Sequence, residues 1–253
     1  MKRIPREFHY KEAHFHIVTE SWDSVTRRII RDRLNLEAFI AHHEAFRTSL
    51  VPLELSVSAG TLPEPVRRMQ SASRATGLGP MAAVAGTMAQ LAAETSREAG
   101  SAESIIENGG DIYLDCREFV VLGLYTGKNP HFKNLALKIE PDDMPLAVCT
   151  SSGRMGHSLS FGDCDLVTVF SKDGSLADAA ATLGCNSVRT EEDIEPVLNR
   201  LTAIEGVLGA IIIRDDRFGA AGEIPDLVRS LDPDLSGKVS RDDDSDFPSD
   251  WTI

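Results

Sequence analysis

Between Cys149 and Asn186 the chain gathers the residue types that do chemistry. The stretch from Cys149 to Ser158 puts Thr150, Ser151, Ser152, His157 and Ser158 beside Gly153 and Gly156, so hydroxyls, an imidazole and permissive backbone share one short turn region. Such a turn suits an anionic guest. Further on, Asp178 and Thr182 stand four apart in Ala177-Asp-Ala-Ala-Ala-Thr182, and on a helix both oxygens would lie on one face. A carboxylate and a hydroxyl so placed are donors for a hard cation. The competing reading is local: Asp178 near a helix start interacts with the macrodipole, and Thr182 bonds back to its own helix. Upstream, Asn108 and Asp111 flank Gly109 and Gly110, which reads either as a tight turn or as the wall of a pocket.

These residues need elements to hold them. Apolar runs at Ile105–Ile106, Ile112–Leu114, Phe119–Tyr125, Leu135–Ile139, Leu146–Cys149, Leu166–Phe170 and Val207–Ile213, joined by turn residues, predict strands of an antiparallel sheet. Helices are predicted over Leu36–Leu50, over Pro65–Ser73 and from Pro80 to about Glu98. Two more follow, one starting at Ser175 or Asp178 and reaching about Gly184, the other over Glu191–Ile204 with Pro196 interrupting it early. Residues 7–32 alternate loosely and predict a strand or hairpin, on which His14 and His16 share a face; a partly exposed strand is the plainer reading there than metal ligation. In the helix predicted from Leu36, His43 faces inward and His42 outward. The helix from Pro80 is built of small residues, which let another backbone approach closely or open its first amides to a phosphate, although no P-loop pattern is present.

The totals bound the function. A net charge of −13 over 253 residues argues against general nucleic-acid binding. No run is apolar enough to span a bilayer and the start lacks a signal-type core, so a cytoplasmic location is expected. The four cysteines show no Cys-x-x-Cys spacing and are expected as small core residues. Charge is uneven: 12 basic and 9 acidic residues up to Arg74, against 3 and 9 from Gly219 onward. The two ends could attract each other within one chain or between chains, which leaves a homo-oligomer open. Residues 1–230 are expected as one domain and 231–253 as an acidic, flexible tail without the spacing of a Ca²⁺-binding loop.

Asn108-Gly-Gly-Asp111, Thr150-Ser-Ser-Gly153, His157, Val167-Thr-Val169 and Ala177-Asp-Ala-Ala-Ala-Thr182 arrive in an order that resembles the ApbE-like flavin transferases over roughly residues 77–190. The sequence is most similar to a shorter prokaryotic branch of that superfamily. Those enzymes cleave FAD and attach FMN to a protein threonine with the help of Mg²⁺. The resemblance implies an α+β, ApbE-like (T-fold-like) architecture with antiparallel sheets packed on and around helices. It implies Asp178 and Thr182 as metal ligands and His157 as the base toward an acceptor hydroxyl. It places Asn108, Gly109, Gly110 and Asp111, with Thr150, Ser151, Ser152 and Gly153, around the nucleotide. Departures accompany it. The family's glycine-rich helix entry carries a lysine that Gly79-Pro-Met-Ala-Ala-Val-Ala-Gly86 lacks, and Ser158-Leu-Ser-Phe-Gly-Asp163 replaces the acid, proline and arginine after the histidine. The chain is also shorter at its N-terminal side.

The leading expectation is a Mg²⁺-dependent protein acting on FAD or a similar diphosphate, by FMN transfer or diphosphate cleavage. The alternatives are a non-catalytic flavin- or nucleotide-binding protein, and a structural homo-oligomer whose small-residue helix packs an interface.

Overall fold

The computed structural model describes residues 3–55, 61–126, 129, 131–132, 134–153 and 163–229. Gly156, His157 and Ser158, and the tail expected over 231–253, lie outside the described residues. Eleven described strands run as β1 (Arg6–Tyr10), β2 (Ala13–Thr19), β3 (Glu103–Asn108), β4 (Asp111–Cys116), β5 (Val120–Gly123), β6 (Leu135–Ile139), β7 (Leu146–Ser151), β8 (Leu166–Ser171), β9 (Val207–Arg214), β10 (Arg217–Gly222) and β11 (Asp226–Arg229). The α-helices are α1 (Trp22–His42), α2 (Ala45–Thr48), α3 (Glu64–Thr76), α4 (Val84–Glu98), α5 (Gly174–Ser187) and α6 (Ile194–Thr202).

The strands form an eight-stranded sheet in the order β1-β2-β3-β4-β7-β8-β9-β10 and a three-stranded sheet in the order β11-β6-β5. Every described pairing is antiparallel, as the short apolar runs predict. Helices cover one face of the large sheet and the small sheet covers part of the other. Alternation along the strands decides which core each residue enters. Cys149, Val167, Val169, Ala210 and Ile212 pack with the helices, whereas Val148, Leu166, Phe170, Ile211 and Ile213 pack with Leu137 and Ile139 of the small sheet. Burial on both faces explains why β8, apart from Thr168 and Ser171, and β9 as far as Ile213 read as near-continuous apolar runs. The fold is the expected α+β arrangement.

The N-terminal third differs from expectation in its helices. The β1–β2 hairpin is present, but α1 begins at Trp22, well before Leu36, and ends at His42. Its buried stripe is Val25, Ile29, Leu36 and Phe39, continued by Asp32 and Arg33. Those two charged residues sit where the pattern calls for apolar ones, and so they hide the helical period. Asp32 is 2% exposed and is paired with Arg28 one turn earlier, which offsets part of its desolvation. His43 stacks on Phe39 with ring centroids 4.1 Å apart, and α2 carries the remainder of the predicted helix. Farther on, β5 is shorter than the run Phe119–Tyr125, and α5 is capped by Asp173, whose side chain accepts from the amides of Ser175 and Leu176. β10 and β11 were not expected. Arg214–Arg217 turns the chain from β9 into β10, with Asp215 at φ 53°. No described helix is long and apolar enough to cross a membrane.

Candidate functional site

The chemistry-bearing residues meet where the ends of β3, β4 and β7 reach the first turns of α4 and α5. Three local designs bring them there. Gly109 and Gly110 adopt φ of 62° and 96°, a two-residue turn that returns β4 beside β3 and sets Asn108 opposite Asp111. Asn108 then donates its side-chain amide to the Ala85 carbonyl at 3.2 Å, tying this hairpin to the start of α4. On α4 and α5, Gly86 and Gly174 let the two helices touch backbone to backbone. A Cβ on Gly86 would lie 2.2 Å from the Gly174 carbonyl oxygen and 2.8 Å from the Cβ of Asp178. The small residues of α4 are therefore spent on packing inside the chain: Ala89, Ala92 and Ala93 are fully buried.

This approach delivers the Asp178 carboxylate to the N-terminus of α4, where the Gly86 amide donates to its Oδ2 at 2.9 Å. An amide that sequence reasoning offered to a phosphate is thus held by a side chain of α5. Asp111 enters from the other side, its Oδ1 accepting the Thr150 amide at 3.1 Å. The two carboxylates interact directly, and both are buried, at 6% and 9% exposure.

Opposing effects act on this pair. The helix N-terminus and its amides favour ionised Asp178, yet burial outweighs them and pushes its pKa up to about 7. Burial and then the charge of Asp178 raise Asp111 well above the ordinary carboxylate range, only partly opposed by the Thr150 amide. No cationic side chain is among the groups that act most on either carboxylate. Burial of both carboxyls, joined at Asp111 by the charge of Asp178, thus holds the pair above the ordinary carboxylate range.

Cys149, which the sequence suggested only as a core residue, lies against the pair. It is 1% exposed, its thiol donates to the Gly174 carbonyl at 3.7 Å, and burial followed by the two carboxylates pushes its pKa up. Thr150 fixes its hydroxyl against that of Thr168 at 2.9 Å, and Ser151 is buried on β7 opposite Val167. The Gly153 amide is occupied by the Cys164 carbonyl at 3.1 Å, and Ser152 is half-buried beside it. Thr182 stands one turn beyond Asp178 on α5, half-buried. Asn108, Asp111, Thr150 and Asp178 thus converge. His157 lies outside the described residues. Gln90, whose Oε1 accepts the Gly174 amide at 2.8 Å, and Cys149 carry no local signal of a site role, because their contacts join α4 and β7 to residues that are distant in sequence.

A buried, oxygen-rich pair of carboxyls with raised pKa values can hold a proton or exchange it for a cation. Asp178 and Asp111 offer carboxylate oxygens of the kind that hard divalent ions prefer, and no cationic side chain is among the groups that act most on them.

Comparison with known proteins places the chain in a family. The family model described as AbpE bacteria matches residues 4–213. A UPF0280 protein of Methanosarcina acetivorans is 42% identical over 199 residues, spanning 78% of this chain and 77% of its own. A UPF0280 protein of Methanocella arvoryzae is 44% identical over 202 residues, spanning 80% and 81%. Among solved structures, a mutant of the flavin transferase ApbE from Vibrio cholerae is similar in fold, with a TM-score of 0.56 at 12% identity over 88% of this chain and 97% of that one.

Proposed function

Because the chain belongs to the AbpE bacteria family, an ApbE-like branch, we propose that its cluster binds Mg²⁺ and, with it, the diphosphate of a flavin nucleotide of the FAD type. The observation that carries this reading is the buried Asp111–Asp178 pair, with no cationic side chain among the groups that act most on it. Asp178 and Thr182 would hold the ion, with Asp111 beside them. Bound there, Mg²⁺ would supply the positive charge for a diphosphate that the missing lysine of the helix entry does not. The residues themselves do the rest. Gly86 orients the Asp178 carboxylate, Thr150 orients Asp111, and the Gly109–Gly110 turn, Ser151, Ser152 and Gly153 border the nucleotide. His157 takes the proton of an acceptor hydroxyl, and cleavage of FAD with transfer of FMN follows.

The test is FAD fluorescence with the purified chain, with and without Mg²⁺, followed by separation of nucleotide products. The reading expects Mg²⁺-dependent binding that Asp178→Ala abolishes, with AMP released and FMN transferred to an acceptor or set free. Unchanged affinity in Asp178→Ala at saturating Mg²⁺ would overturn it. A second reading is favoured by the replacement of the acid, proline and arginine after His157: the pocket binds a flavin nucleotide without acid/base chemistry. Tight binding, indifferent to His157→Ala and yielding no product, distinguishes it.

A further inference from the structure

Away from that cluster, the β1–β3 end of the large sheet carries imidazoles and carboxylates on the face turned from the helices. Strand register gathers them. Glu7 lies opposite His16, His16 opposite Glu107, and His9 opposite His14. The alternate residues Phe15, Ile17 and Ile106 enter the helix-side core, so these five share the other face. We propose that this face is a second metal site, for a divalent transition ion of the Zn²⁺ type, with His9, His14, His16 and Glu7 as ligands.

Two features point to a ligand-binding role beyond a solvated polar face. The first is spacing. The two oxygens of Glu7 stand 3.6 Å from His9 Nε2 and 3.7 Å from His16 Nε2, too long for hydrogen bonds. Metal–ligand bonds of about 2.0–2.1 Å in a tetrahedral zinc site put neighbouring donor atoms about 3.3 Å apart. Two donor pairs therefore already stand within a few tenths of an ångström of a coordination edge. A third imidazole is at hand, because the His14 ring packs edge-on against His9 with centroids 4.3 Å apart.

The second feature is the support behind His16. Its Nδ1 faces the Glu107 carboxylate at 3.3 Å, which leaves Nε2 directed to Glu7. A carboxylate behind one ring nitrogen, fixing the tautomer that presents the other, is how metal-binding histidines are held. The donors do not yet enclose a common centre among the described residues. Closure would require these side chains to turn toward one another, and Glu7 and His9 are 68% and 54% exposed. Three imidazoles and one carboxylate suit Zn²⁺ and disfavour Mg²⁺, so this site and the Asp178 cluster would select different ions.

The experiment uses the full chain without an affinity tag, titrated with ZnCl₂ alone by isothermal calorimetry near neutral pH. The expected result is one ion per chain, weakened at least about 100-fold in the double variant His14→Ala with His16→Ala and about 10-fold or more in Glu107→Gln, where only the supporting contact is lost. Asp178→Asn leaves the affinity unchanged. Co²⁺ in place of Zn²⁺ should give the visible absorption of tetrahedral nitrogen and oxygen coordination, lost in the double variant. Circular dichroism confirms that the variants fold. Absence of Zn²⁺ binding to the wild-type chain, or binding that survives His14→Ala with His16→Ala, would overturn the assignment and leave an ordinary solvated strand face.

Discussion

At the scale of single residues, the buried carboxylate pair makes a pH signature. The folded-state pKa values of Asp178 and Asp111 lie above those of an unfolded chain, so the folded state binds more protons through the neutral range. For a raised carboxylate the stabilising contribution is complete below about pH 4, near the unfolded pKa. It is then lost as pH rises through the folded value of about 7 for Asp178. Asp178→Asn keeps the shape and an acceptor for the Gly86 amide but carries no charge. Without metal, the variant should melt several degrees above wild type at pH 8, since each kcal/mol is worth about 2–4 °C at this size, and the gap should close toward pH 4. Mg²⁺ should raise the melting temperature of wild type and leave the variant unmoved. Thermal scans at pH 4, 6 and 8 decide it, and a gap independent of pH would mean that burial of this charge is not the controlling effect. The residue types at the cluster were legible in the sequence, but their energetics were not. Asp111 looked like a nucleotide neighbour, and nothing local could show that it rests against Asp178, or that the Gly86 amide is already taken.

At the scale of elements, the site depends on how closely α4 and α5 can approach. Glycine at positions 86 and 174 is what permits their contact, because an added Cβ at Gly86 meets backbone that cannot rotate away. Gly86→Ala should therefore destabilise the chain by about 1–3 kcal/mol, the usual cost of overpacking, although alanine favours helix at an unconstrained position. Chemical denaturation checks the sign, and a variant as stable as wild type would show that the helices can separate at no cost. The same substitution should weaken Mg²⁺ binding even where folding persists, since Asp178 would move off its amide. The cap of α5 is a milder test. Asp173→Ala loses two amide contacts and should cost about 1 kcal/mol, read as a fall of a few degrees in melting temperature. Element types were mostly legible because α4, α5 and the central strands carry a clear period or near-continuous apolar runs. Helix α1 was not, because Asp32 and Arg33 occupy its buried stripe and satisfy their charges through partners, Arg28 and Glu12, that no periodicity reveals.

At the scale of the whole molecule, the three layers are unequal, and that inequality predicts where the structure opens first. Strands β7, β8 and β9 lie between the helices and the small sheet, with Val167, Val169, Ile211, Ile212 and Ile213 fully buried. Among the described residues, the small sheet leaves part of its outer face exposed. Val121 and Leu227 are 47% and 42% exposed, and its strands β5 and β11 are edges. Opening a strand that buries little apolar area requires little free energy, whereas the central strands can exchange only when the core itself unfolds. Amide hydrogen exchange should accordingly be fastest in β5 and β11 and slowest in β8 and β9. Site and layers are coupled at one place, because the amides of Ala85 and Gly86 and the first turn of α5 surround Asp178. Added Mg²⁺ should slow exchange across the start of α4 and α5 and leave β5 and β11 as they were, since an ion at Asp178 bears on the helix layer and not on the small sheet. Uniform protection of all eleven strands, or slowing confined to the small sheet, would separate the site from the helix contact that the structure makes its support.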